Sequence, residues 1–238
     1  MSEPALALAF FDGDRGLYGT MRAGAAVLFE GDRPRALGAP PALERAAEGF
    51  VARHPDGLSL EFRPVSAPAE IAGSAVRVCR VSGTVDGRSI DCLGTAGETY
   101  RAPSWESLDA IRTISALFDE EHAVLTVALR PRGAVGHGQE AVSAHVLSGE
   151  ESAAAEEARI STVYDGEGRQ RTAGVELWIG EEDFPRRASG AARAGISLSL
   201  EGLRVNVAVF GWHMEGREGL GAYEITVRDE PVHPAAAA

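Results

Sequence analysis

Apolar and polar residues alternate along most of the chain, in short runs separated by glycine-bearing turns. In VRVCRVSGTVDGRSIDCLG the alternation runs on both sides of Asp86-Gly87, a dipeptide suited to a two-residue hairpin turn. ISTVYDGEGRQRTAGVELWI repeats the arrangement around Asp165-Gly166-Glu167-Gly168. GISLSLEGLRVNVAVFGWHMEGREGLGAYEITVR holds two more turns, at Glu201-Gly202 and Glu215-Gly216. Strands at this spacing predict an antiparallel sandwich or barrel, not a parallel sheet. Helix is scarce. The best candidate is PALERAAEGFVARH (Pro41 to His54), with proline at its start and alanine-rich turns. SWESLDAIRTI (Ser104 to Ile114) reads equally as a helix capped by Ser104 or as a strand. SGEESAAAEEARI (Ser148 to Ile160) reads as a solvated loop or short helix, and GEEDFPRRASGAARAG (Gly180 to Gly195) as a long polar loop.

Two phrases recur. AFFDGDRGLYGTMR (Ala9 to Arg22) and ALFDEEHAVLTVALR (Ala116 to Arg130) share a Phe-Asp step, a charged turn and an apolar run closing on arginine. VSGTVDGRSIDCLGTAGETY and VFGWHMEGREGLGAYEI share a Val-x-Gly, a Gly-Arg, a glycine and a glutamate. The pattern predicts a tandem duplication: an N-terminal β half over 1–103 and a C-terminal β half over 104–238, each opening its first barrel strand with the same phrase.

Composition narrows the function. The 238 residues carry a formal net charge of -12, and 45% of them are hydrophobic. That supports a sizeable core. It disfavours nucleic acid and anionic membrane surfaces as partners, because both need clustered cations. All 23 cationic residues are arginine, so lysine Schiff-base and P-loop chemistry are excluded. No apolar stretch is long enough to span a membrane, and MSEPALALAFFDGD lacks the basic region of a signal peptide. A cytoplasmic protein with two free thiols, Cys79 and Cys92, is expected.

At GTAGETYRAPSW, with Glu98 and Trp105, and at GLGAYE, with Glu224, the chain resembles the hydroxyneurosporene synthase (carotenoid hydratase)-like family. That resemblance implies two lipocalin-like antiparallel barrels in tandem, an all-β fold with few short helices. It implies a hydrophobic small-molecule ligand such as a terpenoid, polyene or polyketide, no redox cofactor and no metal, and proton-driven hydration or cyclisation of a double bond. Some relatives only bind.

The residues offer candidates of their own. If the last hairpin turns at Glu215-Gly216, then Val205, Val207, Val209, Leu220, Ala222 and Glu224 share one face. One carboxyl on an apolar face suits proton donation to an alkene, and a partner such as Arg228 is the plainer account. Glu98 is its counterpart in the first half. Asp91 pairs with Arg80 across a hairpin. His137, with Glu140 and His145, fits no zinc spacing, but His137 alone suits a proton relay near a barrel mouth. Trp105, Tyr100, Trp178, Trp212 and Tyr223 line a ligand pocket or fill the core. Asp12 to Gly16 (DGDRG) lacks the later ligands of a calcium loop and reads as a turn. Three readings stand: conversion of a hydrophobic small molecule, a non-catalytic carrier of one, and a structural or dimerisation module. The sequence leaves a homodimer open.

Overall fold

The structure, a computed structural model, describes residues 3–135, 137–149, 151–180 and 182–228. Among them it holds nineteen strands, one 3₁₀ turn (His137–Gln139) and no α-helix. The first sheet contains β1 (Ala5–Asp12), β2 (Leu17–Arg22), β3 (Ala25–Glu30), β4 (Arg33–Ala36), β5 (Ala42–Ala46), β6 (Gly49–His54), β7 (Leu58–Pro64), β8 (Ala69–Ile71), β9 (Ser74–Val85) and β10 (Arg88–Thr99). The second contains β11 (Leu108–Leu117), β12 (His122–Pro131), β13 (Ala141–Ser148), β14 (Glu151–Ala154), β15 (Glu157–Tyr164), β16 (Gln170–Trp178), β17 (Arg186–Leu200), β18 (Leu203–Met214) and β19 (Arg217–Arg228).

The two sheets follow one plan. The first runs β4-β3-β2-β1-β10-β9-β7-β6-β5, with β8 on β9, and the second β14-β13-β12-β11-β19-β18-β17-β16-β15. In each, the first strand lies between the second and the last, so the chain makes one arm, crosses over, and returns to close on its own beginning. All pairings are antiparallel. The turns Asp86-Gly87, Glu201-Gly202 and Glu215-Gly216 carry positive φ at both residues, as a type I′ hairpin requires. The fold is all-β, two curled lipocalin-like antiparallel halves in tandem.

Alternation sorts each strand's side chains onto two faces. One face of the first sheet packs on itself around Leu8, Phe10, Leu60, Phe62 and Val81, and one face of the second around Ile114, Val175, Leu177, Phe210 and Trp212. The opposite faces meet in a third core, joining Phe11, Phe29 and Val78 to Leu125, Val207 and Val209. The two halves therefore share a seam that is apolar through its middle.

The helical and loop expectations fail where tertiary pairing overrides local propensity. Pro41 to His54 forms β5, a turn and β6. Ser148 to Ile160 spans β14 and the start of β15, and the second half of Gly180 to Gly195 is already β17. From Leu108 the ambiguous segment is β11. Ala-rich and Arg-rich stretches are drawn into strands because each supplies the neighbour that an adjacent strand lacks. The repeated Phe-Asp phrase sits at the end of each first strand, not its start. There Asp12 accepts from the Arg15 backbone N–H at 3.0 Å and Asp119 from the His122 N–H at 2.7 Å. Each aspartate thus caps the first hairpin of its half.

Candidate functional site

The inner face of the second half carries a buried polar cluster. β11 alternates Ala110, Arg112, Ile114 and Ala116 onto that face, placing one guanidinium, 3% exposed, among aliphatic side chains. On the next strand of the sheet Tyr223, fully buried, points the same way. Arg112 Nη1 donates to the Tyr223 hydroxyl at 3.2 Å, and Thr162 on β15 shares a hydrogen bond with that hydroxyl at 2.7 Å. Arg112 Nη2 forms a salt bridge with Glu140, whose side chain is 2% exposed. β15 lies at the far edge of the sheet from β11, so these bonds also curl the half closed. Gln170 Nε2 donates to the carbonyls of Tyr223 and Asn206 at 3.0 and 3.2 Å. Phe210 stacks on Trp212 at 5.1 Å and meets the Tyr223 ring edge-on at 5.6 Å. Five buried atoms of this half, Arg112 Nε, Thr126 Oγ1, Arg130 Nε, Gln170 Oε1 and Trp212 Nε1, find no partner among the described residues. Such atoms are rare in native interiors and call for a ligand or water. Burial pushes the Tyr223 hydroxyl above its ordinary pKa, against the pull of Arg112 and Thr162, so it is an O–H donor at neutral pH.

The first half has a related latch. Glu98, 0% exposed, lies on the inner face of β10 beyond Ala96. It accepts from Arg77 Nη1 at 2.7 Å and pairs with Arg45 of β5, the far edge strand. Both guanidiniums lie over the Phe50 ring, 5.9 and 6.0 Å from its centroid.

Glu224 sits elsewhere. Val207 pairs with Glu224 and Val209 with Ala222, so the register is the one its sequence suggests. The face they share is the seam between the halves. There Glu224 forms a salt bridge with Arg22 of β2, not Arg228. The hairpin turns of the two halves are offset by 129 (215 − 86), which sets Glu98 against Val227 and leaves Glu224 on the opposite face. The two glutamates are not counterparts.

Of the five aromatics, Trp212 and Tyr223 come together through Phe210. Tyr100 is 59% exposed. Trp105 is half-buried in the segment that joins β10 to β11. Trp178 is half-buried under the Arg159 guanidinium, 4.8 Å from the ring centroid. The His137 side chain lies outside the described residues; Glu140 joins Arg112, and His145 Nε2 meets Ser152 Oγ at 2.5 Å. Asp91 pairs with Arg80 at 3.4 Å as its register predicts. Cys79 and Cys92 line the first half's interior with Val81 and Ile90, and burial pushes both thiols up to about 12. Among the described residues no group of three His, Cys, Asp or Glu could hold a metal, and no helix is long and apolar enough to cross a membrane. Sequence reasoning passed over Arg112. The signal was present, since it is the one charged residue on an otherwise apolar strand face.

A cavity of about 200 Å³ opens at the turn end of the first half. Phe10, Leu17, Leu28 and Val85 form its floor, Tyr18 and Phe29 its wall, and Glu30, Arg33, Arg35, Asp86 and Arg88 its rim.

These features define a class: a tandem lipocalin-like protein with buried polar clusters inside both half-barrels. No protein-family model matches the sequence, and no curated protein matches it. Several solved structures share the fold, two of them as follows. An AttH-type protein from Nitrosomonas europaea superposes with TM-score 0.62 at 12% identity, over 94% of this chain and 92% of that one. Kievitone hydratase from Nectria haematococca superposes with TM-score 0.60 at 9% identity, over 94% of this chain and 89% of that one. At these identities the likeness is one of fold.

Proposed function

We propose that this protein binds a small hydrophobic molecule of terpenoid, polyene or polyketide type and adds water to one of its double bonds without a cofactor. The observation that carries the reading is the Tyr223 hydroxyl, held by Arg112 and Thr162 on an aromatic-walled inner face beside orphaned polar atoms. Hydration needs a proton delivered to the substrate and a base that takes one from the attacking water. Tyr223 supplies the O–H. Glu140, on the other end of the same guanidinium, is the carboxylate that receives the water's proton. Arg112 links the two and orients both. A tyrosine of raised pKa is a weak acid, so the arrangement suits a double bond conjugated to a carbonyl, whose developing oxyanion accepts the hydrogen bond. The fold shared with a hydratase supports the same reading. Glu98 lies in the other sheet and Glu224 on the seam face, both away from the Tyr223 hydroxyl, so in this scheme they position strands and do not transfer protons.

The test is incubation with polyenes, terpenoids and unsaturated polyketides in ¹⁸O-labelled water, read by mass spectrometry. Tyr223→Phe, which keeps the ring packing, is expected to lower turnover about 10²-fold or more, while Glu224→Gln retains it. Uptake without ¹⁸O incorporation makes the protein a carrier. Neither uptake nor turnover leaves a structural module.

A further inference from the structure

The cavity at the turn end of the first half is separate from the Tyr223 cluster, which lies in the other sheet. Its floor is apolar and its rim carries three arginines against two acids. Two ion pairs cross the mouth. Arg35 of β4 reaches Asp86 in the β9–β10 turn at 2.7 Å, and Arg88 of β10 reaches Glu30 of β3 at 2.8 Å. Their side chains are between 40% and 67% exposed, so water screens both pairs and neither holds the mouth shut strongly. Arg33 forms no salt bridge among the described residues; its charge acts on Glu30 through space. The rim is thus net cationic on a chain whose formal charge is -12.

We propose that this cavity is a binding site for a small amphipathic carboxylate, its apolar ring on Phe10, Leu17 and Leu28 and its anionic head on Arg33, with Arg35 and Arg88 released from their acids to join it. The volume sets the size. It exceeds the roughly 150 Å³ that holds a benzene and falls below the 300 Å³ or more usual for drug-sized ligands, so one ring with a short acidic arm fits. A guanidinium fork recognises a carboxylate in two-point fashion, which a neutral amide cannot match.

Calorimetry with 3-phenylpropanoate, its amide and 3-phenylpropylamine tests the proposal. The carboxylate is expected to bind at least about tenfold tighter than the amide, the amine weakest, with affinity falling as salt rises. Arg33→Gln is expected to remove most of the preference for the acid. Leu28→Trp, which fills the floor, is expected to abolish binding with the thermal midpoint tracked alongside. Arg33→Gln sits on an exposed strand and keeps the test valid if Leu28→Trp destabilises the fold. Tyr223→Phe should leave this binding unchanged, so failure here and failure of the hydration reading are told apart. Equal binding of acid, amide and amine, no binding of any, or an unchanged preference in Arg33→Gln overturns the proposal.

Discussion

Glu98 is a fully buried carboxylate between two guanidiniums. Removing its charge leaves Arg77 and Arg45 facing an uncharged amide, so Glu98→Gln should cost about 3 kcal/mol and lower the melting temperature by roughly 10 °C in calorimetry. The buried thiols give a second outcome. Their folded pKa of about 12 lies above the unfolded value, so they stay protonated in the native state while the unfolded chain loses protons from about pH 9. Their contribution to stability is complete below pH 9 and disappears as pH rises from 9 to about 12. Below that window Cys79, fully buried, should react with a thiol reagent at pH 8 only at the rate of unfolding, while the half-buried Cys92 labels sooner; fast labelling of Cys79 in the native protein counts against its burial. The alternation of the strands that carry these residues was legible in the sequence. Their distant partners were not, because Arg45 and Arg112 reach across strands far apart in sequence.

At the scale of elements, the last strand of each half must close on the first. A Cβ at Gly94 would fall on the Ala9 carbonyl, and one at Gly221 on the Ser115 carbonyl. Both glycines belong to the segments shared between the halves, and close strand approach is their physical reason. Gly94→Val and Gly221→Val should each cost several kcal/mol, read as a lowered denaturant midpoint, whereas valine at Gly166, where a Cβ meets nothing, should change it little. Strand identity followed the alternation well around the type I′ turns. It failed for Pro41 to His54, whose alanines and leading proline favour helix while its place at the sheet edge demands strand.

For the whole molecule, the seam decides behaviour. Phe11, Phe29, Val78, Leu125, Val207 and Val209 pack across it, with Arg22–Glu224 and Arg80–Glu120 bridging the halves. An apolar seam of this kind should make the halves unfold together, giving one calorimetric transition; two separated transitions would show independent halves. Arg22→Met and Glu224→Gln should each cost about 1–2 kcal/mol, with a coupling energy of similar sign in the double-mutant cycle.

The sequence by itself determined the class of fold, the hairpin turns and the register of the last hairpin. These follow from short-range rules: a period of two and the positive φ that Asp-Gly and Glu-Gly steps supply. Only the tertiary structure decided what each face meets. Alternation places Glu224 on a face with Val207 and Ala222, but it cannot say whether that face looks into a barrel or onto the other half. It likewise sets Arg112 on an apolar face without revealing Tyr223, Thr162 and Glu140 around it. A face is fixed by the two neighbours of a residue, and its surroundings are fixed by segments remote in sequence, 28 residues off at Glu140 and 202 at the Arg22–Glu224 pair.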